Sequence, residues 1–142
     1  MGDQAVRGHP DDLCSRTAID DLLVAFYARA MTDPLLGPVF AAAGLDLVTH
    51  LPRIGDFWQR TLLGTGRYGG QPMVVHRQLH DQVPLTPAMF DRWLALWSEA
   101  VDEAATGPVA DRAKDTARRV ADAMARQLFG GPRTLQIVPG KE

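Results

Sequence analysis

Apolar residues recur at intervals of three and four along most of the chain, and no stretch alternates as a half-buried strand does. That period places one side of each segment on a common helical face. Ile19, Leu22, Leu23, Phe26, Tyr27 and Ala30 predict an amphipathic helix over residues 16–32. Asp33-Pro34 stops it and predicts a short helical turn from Asp33 to Phe40, kept short by Gly37-Pro38. A third segment, 46–63, can be capped by Asp46 or Thr49, with Pro52 tolerable only near its start. It carries two adjacent stripes, His50, Ile54 and Phe57 beside Leu47, Leu51, Trp58 and Leu62. Four glycines and a proline between Gly64 and Pro72 break the chain. A short helix from Met73 to about Leu79 carries His76. Thr86-Pro87 reads as a cap followed by proline at the first helical position. The helix it opens puts Phe90, Trp93, Leu94, Trp97 and Val101 on one face, and Gly107-Pro108 ends it. A last helix runs from about Val109 to Phe129, with Ala113, Ala117, Val120, Met124 and Leu128 inward. The expectation is an all-α domain over 16–129, a polar, loosely packed leader over 1–15 and a mobile tail over 130–142.

Composition narrows the function classes. A length of 142 residues suits one domain, and 46% apolar content suffices for a core. The net charge of −2, without clustered Lys and Arg, argues against a nucleic-acid surface. No apolar run reaches the roughly 18 residues of a membrane span. Residues 1–12 are polar and lack the apolar stretch of a signal peptide. The single cysteine, Cys14, can form no intrachain disulfide, so the simplest compartment is a reducing cytoplasm. It also excludes the two-cysteine attachment of a covalent haem.

Four histidines offer metal-binding chemistry: His9, His50, His76 and His80. His76 and His80 have the i, i+4 spacing of some zinc sites. Zinc wants three or four protein ligands, and nothing else clusters near this pair. A haem asks for less: its porphyrin fills four positions and one neutral imidazole completes the fifth. His76, on a short helix after a flexible loop and near Met73 and Val75, suits that role, although a histidine on a helix surface has the same local pattern. His50 opens a helix whose face continues with Ile54 and Phe57, where it is either a half-solvated boundary residue or a gate at the mouth of a ligand pocket. Tyr27 and Trp93 read alone as core aromatics. Read with a haem, they are an O–H and an N–H donor for a gas that gains negative charge on ferrous iron. Each such bond contributes roughly 1.5–3 kcal/mol, so a pocket with two donors would release oxygen slowly.

In order and spacing, Phe26-Tyr27, the run from Asp33 to Phe40, His50 to Trp58, Leu62 to Pro72, His76 and Phe90 to Trp97 resemble the truncated haemoglobins, of the bacterial group III type. The resemblance covers about residues 16–129. It implies a shortened globin, two helices packed over two around haem b, with His76 as the proximal iron ligand. It implies Tyr27 and Trp93 as distal donors and His50 as the entry histidine. Ile54, Phe57 and Trp58 match the apolar residues after His50, and Phe26, Phe40 and Met73 complete the implied haem pocket. Arg53, one turn beyond His50, is a candidate partner for a haem propionate. The segment from His80 to Pro87 departs from the pattern, being longer than expected before the following helix.

Three function classes remain. One is a haem protein that captures dioxygen or other diatomic gases. Another is a haem redox enzyme, oxidising nitric oxide or handling peroxide, served by a separate reductase. The third is a haem-free helical interaction protein. The oligomeric state is open.

Overall fold

A computed structural model of the chain describes residues 11–67 and 85–129. Its described residues form helices and no strand. These are α1 (Arg16–Ala30), α2 (Gly37–Ala43), α3 (Leu47–Leu63), α4 (Pro87–Ala104) and α5 (Pro108–Phe129). Helix α1 packs on α3 and on α4, α4 packs on α5, and α3 touches α5. The helix pairs thus pack two over two, as the resemblance implies. The expected short helix over Met73–Leu79, with His76 and His80, lies outside the described residues.

The helix ends follow local chemistry. Ser15 Oγ accepts from Ala18 N–H at 3.1 Å to open α1, and Asp46 accepts from Val48 N–H at 3.1 Å to open α3. Thr86 Oγ1 accepts from Met89 N–H at 3.3 Å ahead of Pro87. Gly64 closes α3 with φ 72°, a left-handed conformation that favours glycine. All six apolar positions predicted to face inward on α1 are buried.

Two expectations fail for identifiable reasons. Gly37-Pro38 does not end a helix but begins α2, because proline needs no N–H donor in a first turn. Asp33 instead caps the turn before it, its carboxylate accepting from Leu35 and Leu36 N–H at 3.0 Å each. Within the leader, Asp12 and Leu13 are packed rather than loose. Leu13 is only 1% exposed, and Asp12 accepts from Val109 and Ala110 N–H at 2.9 and 2.7 Å. Asp12 thereby caps α5 from 97 residues away in sequence. Burial opposes its ionisation, but three backbone N–H bonds and nearby Arg112 outweigh that and hold its carboxyl below the ordinary range.

Helix α3 is tied to α1 by one arginine. The Arg16 guanidinium donates to Asp56 and Gln59 at 2.8 Å and to the Pro52 carbonyl at 3.2 Å, while Nε reaches Asp20 at 2.8 Å. A Cβ on Gly55 would lie 2.5 Å from Arg16 Nη2, so only glycine admits this clamp. Trp97 Nε1 donates to the Ala113 carbonyl at 3.1 Å and joins α4 to α5.

Candidate functional site

Tyr27 sits on the last full turn of α1, and its ring is held by three others. Centroid separations are 4.9 Å to Phe26, 5.9 Å to Phe40 and 5.3 Å to His50, all edge-to-face. Its hydroxyl shares a 2.9 Å hydrogen bond with Nε2 of His50, which α3 presents from its first turn. Which of the two donates depends on the imidazole tautomer. Burial pushes the phenol pKa far above its ordinary value. Tyr27 is therefore a neutral hydroxyl at any physiological pH, able to donate one proton.

Trp93 enters the same cluster through Phe26, whose ring lies 6.0 Å from its own. It is half-buried. Phe40, Ile54 and Phe57 are also half-buried, each packed on the main core while keeping some surface of its own. Ile54 and Phe57 follow His50 at four and seven residues, which places all three on one side of α3. Phe26 and Trp58 differ. At 1% and 4% exposure they are already covered by protein. Trp58 stacks on Trp97 and meets Phe57 edge-on at 5.1 Å. Arg53 is exposed on α3. Met73, His76 and His80 lie outside the described residues.

The donor set fits a haem. A flat, largely apolar cofactor needs apolar surface that the core has not consumed, together with a few directed polar groups. Half-buried Phe40, Ile54, Phe57 and Trp93 supply the first, and the Tyr27–His50 pair the second. Among the described residues no cluster of His, Cys, Asp or Glu could hold a metal ion by itself. No described helix is long and apolar enough to cross a membrane.

Three supports of the site escaped the reading of the sequence. One is the Arg16 clamp on α3, whose only local sign is a glycine inside a helix, Gly55. Another is Asp33, whose buried carboxylate receives Arg92 Nε at 2.7 Å and so joins the turn after α1 to α4. Burial alone would raise its pKa. The Arg92 bond and two backbone N–H groups reverse that and hold it below the ordinary range. The last is the direct bond between Tyr27 and His50, a contact across 23 positions with no local signature.

Comparison with known proteins bears on the family and the fold. The family model for bacterial-like globins matches residues 11–129. A group 3 truncated haemoglobin of Campylobacter jejuni is 33% identical over 92 residues, spanning 62% of this chain and 70% of that protein. A group 1 truncated haemoglobin of Nostoc commune is 35% identical over 75 residues, 52% of this chain and 62% of the relative. The crystal structure of the group III truncated haemoglobin from Campylobacter jejuni superposes with a TM-score of 0.74 at 28% identity. That match covers 84% of this chain and 95% of the other. The chain belongs to the bacterial-like globin family, as a truncated haemoglobin of the group III type.

Proposed function

We propose that this globin binds non-covalent haem b through His76 and captures dioxygen, releasing it slowly. The observation that carries this reading is the buried, neutral Tyr27 hydroxyl, held by His50 and joined through Phe26 to Trp93. The haem supplies four ring nitrogens and the iron to which the gas binds. The chain's own residues do the rest. Apolar side chains exclude water. Tyr27 and Trp93 offer donors to a ligand carrying negative charge, with roughly 1.5–3 kcal/mol for each bond formed. His50 sets which way the phenol proton points and stands at the entry. Arg53, exposed and one turn beyond His50, is our candidate partner for a propionate. A tight oxygen complex is also the starting point for nitric oxide oxidation, which would draw its electrons from a separate reductase.

Haem reconstitution of His76→Ala and His80→Ala, followed by absorption spectra, tests the ligand. Loss of the haem band in His76→Ala alone supports the assignment, and its loss in His80→Ala instead overturns it. Stopped-flow oxygen dissociation of the ferrous protein then tests slow release, and addition of nitric oxide to the oxygen complex tests turnover.

A further inference from the structure

All three tryptophans of the chain lie in one stack. Trp93 and Trp97 are separated by 6.1 Å with planes 6° apart, and Trp97 and Trp58 by 4.8 Å with planes 19° apart. These are direct ring contacts, without an insulating side chain between. The stack begins at half-buried Trp93 on the pocket side and passes through Trp97, 1% exposed, to Trp58, 4% exposed. Trp97 and Trp58 have almost no exposed surface from which to touch a gas. Indole gives up an electron far more readily than the leucine and phenylalanine that fill other positions of this core.

We propose that Trp93, Trp97 and Trp58 form a one-electron relay that draws an oxidising equivalent out of the haem pocket when a peroxide enters it. The relay rests on the haem reading above. A haem bound here would supply the cleavage of the peroxide O–O bond, which releases one oxygen as water with both peroxide protons and draws two electrons, one from the cofactor, which would keep the second oxygen, and one from Trp93. Trp97 refills Trp93, and Trp58 refills Trp97. The oxidised Trp58 loses its indole proton to water, and dissolved dioxygen traps the resulting radical.

The hydrogen bonds favour transit through the middle of the stack. Trp97 donates its N–H to the Ala113 carbonyl, and an amide oxygen is too weak a base to take that proton. An oxidised Trp97 therefore keeps its positive charge, remains a strong oxidant and hands the deficit on. Tyr27 is the natural competitor, because His50 Nε2 stands 2.9 Å from its hydroxyl and could accept a proton.

The test uses the full-length ferric haem protein and hydrogen peroxide in air, with peptide mass mapping of the products. Oxygen addition is expected at Trp58. Trp97→Phe should abolish it while the haem band and helical circular dichroism stay unchanged. Trp58→Phe removes the last ring of the stack, and Trp97, whose proton the Ala113 carbonyl cannot take, should stay unmodified in that variant. Three results overturn the relay: Trp58 oxidised equally in Trp97→Phe, oxidation confined to Trp93, or oxidation found at Tyr27 instead. A chain that shows no haem band overturns the haem reading and the relay together. A normal band without Trp58 oxidation overturns the relay alone.

Discussion

Replacing Tyr27 with phenylalanine removes one oxygen and leaves the ring contacts to Phe26, Phe40 and His50 in place. The first effect is on the protein itself. The 2.9 Å bond to His50 disappears, at a cost of about 0.5–1.5 kcal/mol. His50 is half-buried, so its Nε2 can turn to water and the larger penalty for an orphaned buried group does not apply. The second effect is on the ligand. A bond from the phenol to a negatively charged ligand is worth roughly 1.5–3 kcal/mol. Before the ligand arrives, however, the same hydroxyl is engaged with His50. Binding exchanges one bond for another, so the net loss of oxygen affinity is about 0.5–2 kcal/mol, roughly 2- to 30-fold. Release is affected more than affinity. The bond to the ligand breaks on the way out before the bond to His50 re-forms, so dissociation should be about ten- to hundredfold faster. Stopped-flow dissociation and equilibrium binding on the same preparation separate the two figures. Dissociation within about twofold of the parent, with haem content unchanged, would show that Tyr27 only fills the core.

The other predictions concern its partner and the supports. His50→Leu should change ligand entry more than release, and should raise affinity by about fivefold if the phenol donates to His50. Lower affinity in that variant shows that the imidazole is the donor. Gly55→Ala gains about 1 kcal/mol of helix propensity but displaces the Arg16 guanidinium, for a net loss of about 1 kcal/mol in urea unfolding. In an Arg16→Ala background the same change should stabilise, and a loss there refutes the steric argument. Asp33→Asn should cost about 2 kcal/mol near neutral pH. Because the folded carboxyl titrates below its ordinary 3.8, this stability is present above that pH and disappears as pH falls through the lower folded value. The deficit of the variant should therefore shrink in acid, and a deficit independent of pH contradicts the assignment. Asp12→Ala should cost about 1–2 kcal/mol through the lost cap of α5, with faster amide exchange at Val109 and Ala110.

What could be read from the sequence follows from the range of the forces involved. Helix α1 was legible because its six buried positions obey a period set by backbone geometry. The caps of α3 and α4 were legible because a side chain meets an amide two or three residues on. Gly37-Pro38 was misread because one dipeptide can end a helix or begin the next, and only the packing of α2 decides. Asp12 and Leu13 were misread because Asp12 finds its partners at Val109 and Ala110, far beyond any local window. Tyr27, His50 and Trp93 could be named as site residues through the resemblance. The hydrogen bond between the first two could not be, since it exists only once α1 and α3 cross.

The site inherits its geometry from the core, with α1 as the common element. That helix carries Tyr27 on one side of its last turns and Phe26 beside it, and it packs on both α3 and α4. Phe26 touches Tyr27, Trp93 and Trp97 at centroid distances of 4.9, 6.0 and 5.3 Å. No change in the tilt of α4 can therefore move Trp93 without loading the ring beside Tyr27. Arg16 fixes α3 at the opposite end of α1, and with it the helix that presents His50. Tyr27, Trp93 and His50 thus hang from three helices that one buried aromatic and one clamped arginine hold in register. Close-packed interiors do not yield smoothly to such a change in volume. A substitution as distant from the ligand as Phe26→Leu should for that reason alter gas kinetics as well as stability, even though Phe26, 1% exposed, has no surface to offer the gas.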